Sequence, residues 1–153
     1  MAQPKRSWRA GRILGSLTLA YAATLSSTAT ASADEFRLIV SSANPTNEIA
    51  PTTVAQCYVG GYCRWSNGQP VVPIDQSTKS AVRKAFSQQV LQLDVEAVQV
   101  QWMRAIVAGK GRPPISASEA DVIESVAKDP KMMGYVSADA ALPPNVKTVA
   151  IRQ

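Results

Sequence analysis

The sequence predicts an α/β fold with one small mixed sheet flanked by helices. Three observations predict it. Short runs with the two-residue or continuous apolar pattern of strands interleave with stretches of helical apolar spacing. Gly, Pro and Asn clusters punctuate the boundaries between them. With 153 residues, of which 46% are hydrophobic, the chain suits one domain with its own core.

The first strand is expected at Phe36–Val40, followed by a loop at Asn44–Asn47, where Asn and Pro favour a turn. Pro51 suits the first turn of a helix, Val54, Cys57 and Tyr58 give it one apolar face, and Gly60 ends it. Residues 63–70 are turn-rich. Val71–Ile74 reads as a second strand, and Pro73, which lacks a donor, argues for a sheet edge or a strand end. Three helices follow. Val82, Phe86 and Val90 recur every four residues in the first, with Ser77 to Ser80 available as caps. In the second, Val95, Val98, Trp102 and Ile106 mark one face, flanked by Val100, Met103 and Val107, and Gly109 stops it. So broad a stripe predicts a largely buried helix. In the third, Ser116 to Glu119 has the spacing of a capping box, Val122, Ile123 and Val126 face inward, and Asp129-Pro130 ends it. Two strands complete the order, at Gly134–Ser137 and Val146–Ile151, with a Leu142–Asn145 turn between them.

The N-terminal 33 residues read as an export signal. Lys5, Arg6, Arg9 and Arg12 form a basic start, Ile13–Leu25 is apolar, and Ala31-Ser32-Ala33 has the A-x-A form of a cleavage site. The apolar run is too short to span a bilayer as a helix. No Arg-Arg pair supports a twin-arginine signal. The domain organisation expected is therefore a signal at 1–33 and one α/β domain at 34–153, in the periplasm or secreted. The signal carries four of the 16 basic residues and none of the 11 acids, so the net charge of +5 is mostly its own. No basic stripe remains to argue for a nucleic-acid partner.

Composition also removes chemistries. Without histidine there is no Ser-His-Asp or Cys-His mechanism and no His-rich metal site. Two cysteines cannot make a four-Cys zinc site, so neither a metal nor a cofactor is expected. Cys57 and Cys63 are expected to form a disulfide, since export favours oxidation and Gly60-Gly61 lets the chain fold back. Their spacing is not the C-x-x-C of a redox motif. The acids are scattered. Asp75 ends a strand with no carboxylate partner in sequence, so no acid/base pair and no enzyme is proposed.

The segments FRLIVSSANP, CYVGGYCRWSNGQPVVPID, SAVRKAF, WMRAIVAGKGRPP and MMGYV occur in that order. Together, over Phe36 to Val136, they resemble short periplasmic substrate-binding-like proteins related to phosphate ABC-transporter substrate-binding proteins. The resemblance implies a single lobe of a type 2 periplasmic-binding-protein fold. It places Ser80 where the family has the serine of its anion-binding motif. The motif departs from the pattern around it: Lys79 and Ala81 stand for glycines, Val82 for a threonine, and the family's Arg and Asp fall at Gln76 and Thr78. By the match the chain starts where the second lobe of two-lobed relatives starts, so half of a closing clamp is expected to be missing.

Two readings of function follow. In the first, the protein resembles a phosphate ABC-transporter substrate-binding component and holds phosphate or a similar anion at Lys79, Ser80 and Arg83. A Ser80 cap with two solvated cations explains the same residues without a ligand. Lys110 and Gly111, either an anion nest or a helix C-cap, are secondary candidates with Tyr135. In the second reading the lobe has lost its ligand. It then contacts an ABC permease, a sensor or an envelope protein, or pairs as a homodimer.

Overall fold

The computed structural model describes residues 36–152. The expected export signal lies outside them. Within them the order is β1 (Phe36–Ser41), β2 (Glu48–Ile49), α1 (Pro51–Val59), β3 (Val72–Gln76), α2 (Ala81–Phe86), a π-helical turn at Ser87–Leu91, α3 (Val95–Val107), β4 (Ile115–Ala117), α4 (Glu119–Lys128), β5 (Met132–Ser137) and β6 (Val146–Ile151). The α/β class with one mixed sheet is therefore observed.

The six strands run in the order β2-β6-β1-β5-β3-β4. The central strand β1 is antiparallel to both neighbours, with Leu38 opposite Tyr135 on β5 and Val149 on β6. Beyond these, β3 lies parallel to β5, β4 parallel to β3, and β2 parallel to β6. Pro73 pairs toward β5, whereas the pairing with β4 begins at Ile74. Proline thus sits near a strand end, and β3 is not an edge.

The sheet buries a different core on each face. One core gathers Phe36, Leu38 and Val40 of β1 with residues of α1, α2, the π turn and α3. The other gathers Ile39, Ile74, Val136 and Val146 beneath Val122 and Val126 of α4. Gly134 lets α4 lie close, because a Cβ there would come within 2.4 Å of Val122 Cγ1. Alternation along β1 sends successive side chains to opposite cores.

Local signals explain the helix ends. Pro51 occupies the first turn of α1. Ser80 and Asp94 cap α2 and α3 by accepting the backbone N–H groups of Arg83 and Ala97. The capping box expected at Ser116 does not form. Residues 115–117 pair with β3, and Ser118 caps α4 instead. The Glu119 carboxylate accepts from the N–H and hydroxyl of Ser137, so a tertiary contact takes the side chain from the helix end. At the end of α3, Gly109 adopts φ +67°, its N–H bonds Ile106 O, and Lys110 N–H bonds Ala105 O. This pairing is a Schellman motif, which needs a left-handed residue at that position.

Helix α3 is less buried than its broad apolar stripe predicts. Val95, Val98 and Trp102 are buried, but Val100, Met103, Ile106 and Val107 are 45%, 65%, 52% and 85% exposed. The helix rests on the core along one narrow stripe, and the rest of its apolar surface faces solvent.

Candidate functional site

The carboxyl end of β3 carries the densest polar arrangement in the described residues. β3 delivers Asp75 and Gln76, β5 delivers Tyr135, and α2 with the π turn delivers Ser80, Arg83 and Ser87. Carboxyl ends of strands are where ligands sit in open α/β sheets.

Arg83 is buried although it is charged. Its Nε lies 2.7 Å from Asp75 Oδ1, a charge contact whose angle misses hydrogen-bond geometry. Its Nη1 donates to the buried Ser87 hydroxyl. The π turn widens the helix by one residue per turn at that point, as occurs at functional sites in other helices. Asp75 Oδ1 also accepts from the Tyr135 hydroxyl and, at 2.8 Å, from the Gln76 N–H. The Gln76 side chain bridges the group: its Nε2 donates to Tyr135 O at 2.8 Å and its Oε1 accepts from Ser80 Oγ at 2.9 Å.

Burial governs the ionisation of this cluster. Desolvation raises the Asp75 carboxyl above its ordinary value, against the opposing pull of the Arg83 guanidinium and of the hydrogen bonds from Tyr135 and Gln76. The Tyr135 phenol is raised as well, by burial first and then by the adjacent Asp75 charge. Tyr58, wholly enclosed beneath them, is raised for the same two reasons. Its hydroxyl lies within hydrogen-bonding reach of the carbonyls of Ile74 and Met133, 3.1 and 3.2 Å away, and so ties α1 across the junction of β3 and β5. Both phenols therefore stay neutral donors.

Aromatic packing holds the cluster from below. Phe86 stacks on Tyr135 with ring centroids 4.0 Å apart, and Tyr58 and Phe36 meet Phe86 edge-on. Such pairs fix ring orientation as well as burying area.

The structure separates the sequence candidates. Lys79 is exposed at the start of α2, and Ser80 is half-buried beside it. The N–H groups of Ala81 and Val82 have no partner among the described residues, as the first amides of a helix require. Arg83, expected to hold an anion together with Lys79 and Ser80, lies behind Ser80 and is engaged by Asp75 and Ser87. Tyr135 is fully enclosed. Lys110 and Gly111 lie at the other end of α3's chain segment, where the backbone N–H groups of Gly109 and Lys110 already close the helix. The cysteine pairing is present: Cys57 and Cys63 form a disulfide with a Cα–Cα distance of 5.1 Å. Among the described residues no cluster of His, Cys, Asp or Glu could hold a metal ion, and no helix is long and apolar enough to cross a membrane. Sequence reasoning missed the Asp75–Arg83–Tyr135 linkage. The only signal available was Arg83 placed one turn after a cap and eight residues beyond a strand-end Asp.

No family model and no curated protein matches the sequence. Solved structures do match in fold. One is a phosphate ABC transporter substrate-binding protein from Clostridium perfringens with bound phosphate, at 20% identity and a TM-score of 0.58 over 76% of this chain and 44% of that one. The fold is that of one periplasmic-binding-protein lobe. An ABC-type phosphate transport receptor from Vibrio cholerae aligns with the lobe at 14% identity and a TM-score of 0.57, over 75% of this chain and 45% of that one. PstS from Borrelia burgdorferi aligns at 14% identity and a TM-score of 0.56, over 76% and 47%. The lobe thus spans less than half the length of each of these proteins.

Proposed function

We infer that this lobe is a non-enzymatic substrate-binding component that holds phosphate or a similar small anion at the start of α2. The observation that carries the reading is the fold shared with phosphate-transport binding proteins, one of them with phosphate bound. The local chemistry supports it. Lys79 supplies an exposed cation, Ser80 a hydroxyl, and Ala81 and Val82 two open N–H groups at the positive end of a helix. Arg83 acts as a positioning residue. Bound to Asp75 and Ser87, it fixes the turn that presents Ser80, and its charge is offset before it reaches solvent.

An ABC permease is the partner this reading implies. The disulfide supports an oxidising compartment, periplasmic or extracellular. A single lobe leaves its anion open to solvent on one side, so affinity is expected to be modest compared with a two-lobed clamp.

Calorimetric titration with phosphate, with sulfate as the control, tests the proposal. Saturable heat is expected, and Lys79→Ala and Ser80→Ala should each weaken binding by about tenfold, the loss of one charge-assisted contact. Lys79→Ala should keep the parent melting temperature to within a few degrees, whereas Ser80→Ala also loses the α2 cap and the bond to Gln76 and should melt about 5 °C lower. Titrations that stay flat at millimolar phosphate, or variants that bind as the parent does, overturn it.

A further inference from the structure

We propose that the solvent face of α3 is a self-association surface, on which a second copy of this chain packs its own α3 antiparallel across a two-fold axis. The face is built for a helix. Val100, Met103 and Val107 follow the three-then-four spacing of a coiled-coil seam, and Ile106 flanks it. All four are exposed, although α3 buries Val95, Val98 and Trp102 on its other side. Scattered exposed apolar residues are ordinary, but a continuous stripe along one helix is the mark of an interface.

Charge selects the occupant. Glu96 lies one turn before Val100, at the amino end of the stripe, and Lys110 lies just beyond its carboxyl end, as far from Met103 in sequence as Glu96 is. Both are exposed, and neither belongs to an ion pair in the described residues, where Arg83–Asp75, Lys128–Glu124 and Arg152–Glu48 are the pairs found. A stripe that is acidic at one end and basic at the other is complementary to itself when turned end for end. With the axis near Met103, Met103 meets its counterpart and Val100 meets Val107 or Ile106. Glu96 then faces the basic end of the other copy. The two helix dipoles oppose as well, which favours the same orientation. An anionic membrane surface would call for uniformly basic flanks, which this face lacks.

The helix is about 20 Å long, so the contact is small by the standard of stable interfaces and a reversible dimer is expected. Sedimentation equilibrium on protein expressed from the full chain, without phosphate, should show a concentration-dependent monomer–dimer exchange. Met103→Glu should leave only monomer while the circular dichroism spectrum and melting temperature stay as in the parent. Glu96→Lys and Lys110→Glu should each weaken the dimer by about tenfold, and the two together should restore it. A chain that is monomeric at every soluble concentration overturns the proposal. So does a dimer that survives Met103→Glu, or a charge-swapped double variant that folds yet does not re-associate. Vesicle binding by the monomer that Met103→Glu abolishes would assign the face to lipid instead.

Discussion

The two faces of the sheet solve the same packing problem with different materials. Under α4 the core is aliphatic, and closure depends on the missing side chain of Gly134. Under α1, α2 and α3 it is aromatic, with Tyr58, Phe86 and Tyr135 in mutual contact. Aliphatic side chains ask only for volume. Buried tyrosines also ask for hydrogen-bond partners, and here those partners are backbone carbonyls, Gln76 and Asp75. The aromatic face therefore forces a polar network at the carboxyl end of β3, beside the start of α2. The aliphatic face has no such consequence and reads as scaffold.

If this contrast is correct, the largest effect comes from breaking charge balance on the aromatic face. Arg83→Met keeps most of the side-chain volume and leaves the Asp75 carboxylate buried without its cation. A loss of about 3–5 kcal/mol is expected at neutral pH, read by urea unfolding. The loss should depend on pH. A carboxyl whose folded-state value is raised holds its proton more tightly in the folded chain, so it contributes stability at low pH that is lost as pH rises through that value. Removing Arg83 takes away the main influence holding Asp75 down, which pushes that window upward. The deficit of Arg83→Met relative to the parent should therefore shrink as the solution is acidified and Asp75 becomes neutral. A deficit that is constant from neutral to mildly acid pH would show that the lost packing, not the stranded carboxylate, is what matters.

On the aliphatic face the comparable break is steric. Gly134→Ala directs a methyl group at Val122 Cγ1, a β-branched side chain with little freedom to turn away. The expected cost is about 1–3 kcal/mol, independent of pH. Val122→Ala in the same chain should relieve part of it, so the two substitutions together should cost less than the sum of their separate effects. Additive losses would mean that α4 moves as a whole and that Gly134 does not set its distance.

The contrast also explains what could be read in the sequence. Strands β1 and β6 and helices α1 and α4 carry their pattern locally, in alternation or in one apolar stripe, and their positions follow from it. β2 and β4 are two and three residues long and exist only because β6 and β3 offer them parallel partners. No periodicity can announce so short a strand. The stripe of α3 was wider than the sheet could cover, since hydrophobicity says that a residue suits burial and not that a partner is present. Ser80 and Lys79 were visible because caps are local. The Asp75–Tyr135 bond was not, since sixty residues separate its ends and only the β3–β5 pairing brings them together.

The smallest break tests whether a tyrosine of the aromatic face needs its hydroxyl. Tyr58 has the Ile74 and Met133 carbonyls within reach, one from each of the two strands that separate beneath it. Tyr58→Phe keeps the ring against Phe86 and Tyr135 and removes only the donor. A loss of about 1 kcal/mol is expected, the net worth of one buried hydrogen bond, read as a lower urea midpoint at unchanged slope. Hydrogen exchange should localise the change. The amide of Val72, which donates to Lys131 O where β3 and β5 begin to pair, should exchange faster while those at the β1–β6 pairing keep their protection. An unchanged midpoint would make Tyr58 a packing residue like Phe86. The polar network would then be confined to Asp75, Gln76, Ser80, Arg83 and Tyr135.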